Sequence, residues 1–132
     1  MTKKILLVLD SSIVASDFKL MLEYAGYEVC GYSNNLLHAF QLFLNKSPDL
    51  IVFDISERPL HSSIEFVKSV KVIRHVPVIY LVLEFDAPII NEYIKPCLDA
   101  YIVKPVSRHQ LLIAAKKLLV LNRKFNQSVN SN

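Results

Sequence analysis

Four apolar residues, Leu50, Ile51, Val52 and Phe53, run without a break between Asp49 and Asp54. A solvent-facing helix would need polar positions inside such a run, and a half-exposed strand would alternate. A strand buried on both faces meets neither objection, and strands of that kind belong to parallel sheets covered by helices. Asp54 then stands where the chain leaves the sheet. That is the carboxyl end of the strand, the side on which open α/β folds bind their ligands.

The rest of the chain supplies a matching scaffold. Residues 5–9 read as a first buried strand, closed by Asp10, with Ser11 or Ser12 to cap a helix. In that helix Val14, Phe18, Met21, Leu22 and Ala25 form one stripe on a 3.6-residue period, and Gly26 sits where a left-handed cap belongs. Residues 27–32 are less apolar and read as an edge strand. Ser33, Asn34 and Asn35 offer a cap for a second helix with Leu36, Phe40, Phe43 and Leu44 inward.

After Asp54 comes a loop over 55–62. Ser62 or Ser63 then caps a third helix that turns Phe66, Val67, Val70 and Ile73 to the core. Pro77 opens a strand over 78–83, and Asp86 and Pro88 begin a fourth helix with Ile89, Ile90, Tyr93 and Ile94 buried. A short fifth strand over 100–103 ends at Lys104-Pro105. Ser107 and Gln110 have the spacing of a capping box for a last helix, with Leu111, Leu112, Ala115, Leu118 and Leu119 as its stripe. The polar stretch 123–132 reads as a fraying tail or the start of a linker, which leaves one domain over 1–122. Alternating strands and helices imply an α/β fold: five parallel strands, right-handed crossovers, and helices on both faces in a three-layer α/β/α sandwich.

Composition narrows the function classes. With 132 residues, 52% hydrophobic and 20% charged, the chain can bury one core. Two glycines leave no glycine-rich phosphate loop, and the first strand is followed by Asp-Ser-Ser-Ile-Val with no glycine for a cofactor phosphate to approach. No apolar run nears the ~20 residues of a membrane span. The five apolar residues after Lys3 and Lys4 are too few for a secretory leader. Cys30 and Cys97 have no metal or redox spacing and read as thiols of a reducing cytoplasm. The net charge of +3 is spread out, apart from Lys116, Lys117, Arg123 and Lys124, which read as a solvated helix face. Neither a nucleic-acid nor a membrane partner is expected.

Asp10, Asp54 and Lys104 each fall at the carboxyl end of a strand: the first, third and fifth. Singly they read as a helix cap, a turn acid and a solvated lysine. Together, on one rim of a parallel sheet, they place two carboxylates and an ammonium in a single cleft. Such carboxylates suit Mg²⁺, and a carboxylate can also attack phosphorus to give an aspartyl phosphate. A metal and a lysine would neutralise the transferring group.

Lys-Ile-Leu-Leu-Val-Leu-Asp (4–10), Pro-Asp-Leu-Ile-Val-Phe-Asp (48–54), Val-Pro-Val-Ile (76–79) and Asp-Ala-Tyr-Ile-Val-Lys-Pro (99–105), in that order, resemble the receiver domain of a two-component response regulator over residues 3–122. The resemblance implies a flavodoxin-like fold with strand order 2-1-3-4-5. It implies Asp54 as phosphoacceptor from a histidine kinase or phosphotransfer protein. Mg²⁺ would be held by Asp10, Asp54 and the Ser56 backbone carbonyl, and Lys104 would sit on the phosphoryl oxygen. A cis peptide is implied before Pro105, and Tyr101 becomes the aromatic switch. The implied activity is at most that of a Mg-dependent phosphoacceptor with slow self-dephosphorylation, not that of a conventional enzyme. A homodimer or output contact would use the fourth helix, fifth strand and fifth helix.

The pattern departs from the family around the reactive centre. Leu9 stands where the family carries a second acid, Val82 where it carries a hydroxyl, and Leu83 where it carries a small residue. Pro59 comes one residue late, His61, Ser62 and Ser63 replace glycines, and Cys97 replaces another. With Val82 unable to donate a hydrogen bond, Tyr101 reads as packed core rather than a moving switch. Arg58, in the lengthened loop, is a candidate replacement for lost positive charge. The alternative function is a pseudo-receiver, a dimerisation or interaction module that works without phosphate.

Overall fold

The computed structural model describes residues 2–93 and 98–130, the last ten for their backbone alone. The elements run β1 (Lys4–Val8), α1 (Ser12–Tyr24), β2 (Glu28–Ser33), α2 (Leu36–Lys46), β3 (Leu50–Asp54), α3 (Leu60–Ile73), β4 (Val78–Val82), a 3-10 turn (Glu84–Asp86), α4 (Ala87–Ile90), β5 (Ala100–Val103) and α5 (Arg108–Asn130). The five strands form one parallel sheet in the order β2-β1-β3-β4-β5, as the family resemblance implies. β2 is an edge. No helix among the described residues is long and apolar enough to cross a membrane.

Strand alternation sorts the core onto two faces. Ile5, Leu7, Leu9, Val52 and Leu81 pack with Phe18 and Leu22 of α1 and Leu111 and Ala115 of α5. Leu6, Val8, Phe53, Tyr80 and Val82 pack with Phe43 of α2, Phe66 and Val70 of α3 and Ile90 of α4. β3 is buried along its whole length, as a strand covered on both sides must be.

Local signals hold at several ends. Ser11 Oγ accepts from the Val14 amide, Asn35 Oδ1 accepts from the His38 amide, and Ser107 and Gln110 cap each other reciprocally. Gly26 has φ +99°, which the chain needs to leave α1.

The α5 stripe packs into the core as expected, while those of α1, α2 and α3 depart from expectation at particular positions. Val14, Leu44 and Ile73 are exposed, while Ala15 and Ala39 are buried. An apolar sector does not by itself choose which edge meets the sheet; small side chains let the helix axis come close, and they take the contact. α3 begins at Leu60 with Pro59 at its cap and no side-chain cap. Ser63 lies inside the helix, 1% exposed, and its Oγ reaches back to the Pro59 carbonyl at 3.5 Å. α4 has four residues, and Ile90 is buried while Ile89 and Tyr93 are about half exposed. Ile94 and Cys97 lie outside the described residues. The α5 backbone stays helical to Asn130, past the expected tail boundary. Lys, Arg and Gln are good helix formers, and extending a helix already nucleated is easy.

A buried ion pair ties the far end of β4 to α3. Asp99, 3% exposed, takes Lys71 Nζ at 2.7 Å and the Val78 amide at 3.0 Å. Burial, with the Asp99 charge second, pushes the Tyr80 phenol well above its ordinary value near 10. The folded state therefore favours neutral Tyr80. Its contribution to stability is intact below the ordinary value and is lost as pH climbs above it. Tyr27 is pushed the same way by burial. Denaturant titrations at pH about 7 and about 11 should show a smaller alkaline loss of stability in Tyr80→Phe than in the wild type. Equal losses would remove Tyr80 as a cause.

Candidate functional site

Strand register brings the predicted site residues to one rim. Val8 lies opposite Phe53, Asp54 opposite Leu81, and Val82 opposite Val103. Just beyond the strand ends come Leu9-Asp10 and Lys104. The Lys104 amide donates to the Val82 carbonyl at 2.8 Å, which fixes where its side chain leaves the sheet. The Lys104–Pro105 peptide is cis, as expected. Asp10, Asp54 and Lys104 line one cleft of about 550 Å³ between the strand ends and α1.

Asp54 is 7% exposed and well bonded. Its Oδ2 accepts from Lys104 Nζ at 2.8 Å. Its Oδ1 accepts from the Ser56 amide at 2.9 Å and from the Ser56 hydroxyl at 2.6 Å. Lys104 Nζ also donates to Ser56 Oγ at 3.0 Å, so the three side chains close a ring. The Ser56 hydroxyl was not expected to take part; only its carbonyl was. The Asp-x-Ser spacing is the available signal, since short polar side chains two residues apart bond locally in turns.

Arg58 comes to Asp10. Its Nη2 donates to Asp10 Oδ1 at 2.6 Å, with the Asp10 side chain 35% exposed and the Arg58 side chain 11%. The guanidinium carbon lies 5.6 Å from the Phe53 ring centroid, within reach of a cation–π contact. Two acids and two bases are thus paired, Asp54 with Lys104 and Asp10 with Arg58.

The departing positions are part of the core. Leu9 is 1% exposed and packs on the α1–α5 face, and Val82 is fully buried on the other face. Tyr101 corrects an expectation. It is 37% exposed on β5, the edge strand of the sheet, rather than packed in the core.

This fold, five parallel strands in the order β2-β1-β3-β4-β5 with Asp10, Asp54 and Lys104 on one rim, is that of a signalling receiver, and the chain belongs to the response regulator receiver domain family, whose model matches residues 5–116. It is the receiver domain of a two-component response regulator, a family whose general function is phosphorylation on aspartate. Among its relatives is the polar-differentiation response regulator DivK of Brucella ovis, 34% identical over 124 residues, covering 90% of this chain and 98% of that one. Two solved structures are similar. A response regulator receiver domain protein from Clostridium thermocellum is 28% identical with a TM-score of 0.79, covering 95% of this chain and 98% of that one. A CheY-like receiver domain protein from Methanospirillum hungatei is 26% identical with a TM-score of 0.76, covering 94% and 98%. Receiver domains interact with kinases or phosphotransfer proteins and generally bind Mg²⁺ at the phosphorylation site.

The donor set here does not fit that ion. Mg²⁺ demands near-octahedral oxygen ligands and gives up water reluctantly. Asp10 Oδ1 is held by Arg58, Asp54 Oδ2 by Lys104, and Asp54 Oδ1 by two donors of Ser56. The second acid of the family pattern is a core leucine. The two carboxylates already face two cations, so a divalent ion would add uncompensated positive charge.

Proposed function

We propose that this chain accepts a phosphoryl group on Asp54 from a phosphohistidine of a kinase or phosphotransfer protein. An Asp54 carboxylate oxygen attacks phosphorus, the phosphorus–nitrogen bond breaks, and its electron pair stays on the departing imidazole, which holds its proton. An acyl phosphate remains on Asp54. The observation that carries this reading is the Lys104–Asp54 contact at 2.8 Å in a cleft that Asp10 also lines. The ammonium already stands beside the attacking carboxylate, within reach of the phosphoryl oxygens that carry the charge in the transition state, so little reorganisation is needed. Ser56 fixes the carboxylate plane through Oδ1.

The Mg²⁺ implied by the family would need Asp10, Asp54 and the Ser56 carbonyl, and both carboxylates are already taken, by Arg58 and Lys104. To bind, it would first have to part Asp10 from Arg58. On the same reading the chain works in the cytoplasm. Its output contact, a second copy or an output domain, lies on α4, β5 and α5, where Ile89, Tyr93, Tyr101, Ile113 and Val120 are exposed.

The test is intact-mass measurement after incubation with a small phosphodonor such as acetyl phosphate, with Mg²⁺ and separately with a chelator. A single phosphoryl adduct that hydrolyses in mild base is expected. No adduct in either condition, alongside an ordinary receiver that labels, would overturn the proposal.

A further inference from the structure

We propose that Arg58 serves as a built-in cation in the place of the divalent ion: its guanidinium is locked on Asp10, balances the acid pair from within the chain, and makes phosphoryl uptake independent of Mg²⁺. The uptake clause rests on the function proposed above; the metal clause does not.

Three observations carry the inference. The first is the contact itself, a charge-assisted bond of 2.6 Å between Arg58 Nη2 and Asp10 Oδ1. A guanidinium side chain only 11% exposed has lost most of its water, so the pair is stronger than a surface one. The second is how Arg58 is held. Its guanidinium lies against Phe53, a fully buried side chain that packs edge-on against Phe66 at 5.2 Å, so the cation rests on the rigid core rather than a loose loop.

The third is a leftover donor. Arg58 Nε is buried without a hydrogen-bond partner among the described residues. Buried donors are rarely left unmet. Here the Asp10 pair and the Phe53 face offset that loss.

Arg58 lies in the short loop between Asp54 and Pro59, the cap of α3, at the same end of the sheet as Asp10. Leu9 agrees with it: a site that recruits no metal has no use for the second acid, and the core takes the position.

The experiment is a Mg²⁺ titration followed by ¹H–¹⁵N spectra of the wild type and of Arg58→Gln, together with the phosphodonor assay on both. The wild-type amides of Asp10, Asp54 and Ser56 should show no saturable shift, and its adduct should form at the same rate with Mg²⁺ and with chelator. Arg58→Gln should bind Mg²⁺ at least ~10-fold more tightly than the wild type, since one charge-assisted bond no longer competes. Its labelling should become dependent on Mg²⁺. Equal affinity in the two proteins, or Mg²⁺-dependent labelling of the wild type, would overturn the inference. If Arg58→Gln fails to fold, the wild-type titration decides alone: a saturable shift at Asp10 overturns it and flat amides uphold it. If neither protein takes a phosphoryl group, the acceptor reading fails, and the titration still decides whether Arg58 excludes the metal.

Discussion

Asp54→Asn abolishes the phosphoryl adduct while the protein stays folded. An amide oxygen lacks the charge and nucleophilicity to attack phosphorus, so uptake from acetyl phosphate falls below detection in the intact-mass assay. The fold survives for a reason visible in the contacts. The carboxamide oxygen of the replacement can still accept from the Ser56 amide, and Lys104, whose side chain is 31% exposed, regains water when its ion pair is removed. The stability change should therefore stay within about 1–2 kcal/mol, the range of a half-screened pair. Denaturant melts of wild type and variant separate lost chemistry from lost folding. An adduct that persists on Asp54→Asn, mapped to Asp10 or Glu57 at the same cleft, would move the acceptor elsewhere.

Phe53→Ala should have the largest effect on stability. The side chain is fully buried beside Phe66, and its removal leaves a cavity in a two-sided core that cannot easily collapse. The expected loss is about 3–5 kcal/mol in denaturant unfolding, a large share of the roughly 5–15 kcal/mol of a whole domain. The midpoint should move and the slope should not. The site is touched as well, because Arg58 loses the ring it lies against. A double-mutant cycle between Phe53→Ala and Arg58→Gln should give a coupling of about 0.5–2 kcal/mol. A milder Phe53→Leu keeps most of the apolar volume and should lose clearly less stability. A Phe53→Ala loss under about 1 kcal/mol would mean that the core refills the space, contrary to the packing seen.

Much of this was legible in the chain because it depends on local chemistry. The unbroken run before Asp54 marks a strand buried on both faces, since a solvent-facing helix would need polar positions and a half-exposed strand would alternate. Ser11, Asn35 and the Ser107–Gln110 pair announce helix starts, because short polar side chains satisfy amides that the helix leaves unpaired. The alternation of elements determines the parallel sheet, and the sheet brings Asp10, Asp54 and Lys104 to one rim.

Long-range contacts belong to the tertiary structure. That Ala15 and Ala39 rather than Val14 and Leu44 meet the sheet depends on how closely two elements approach, which periodicity does not encode. Tyr101 reads as core because Val82 cannot donate a hydrogen bond to couple it to the site, yet it is 37% exposed on the edge strand β5. Arg58 is one base in a loop when met in the chain. Forty-eight residues separate it from Asp10, and only the folded sheet sets the guanidinium on that carboxylate with Phe53 beneath it. Side-chain identity determines which charges a chain carries; the fold decides which of them meet, because pairing energy falls steeply with distance and rises as water is excluded.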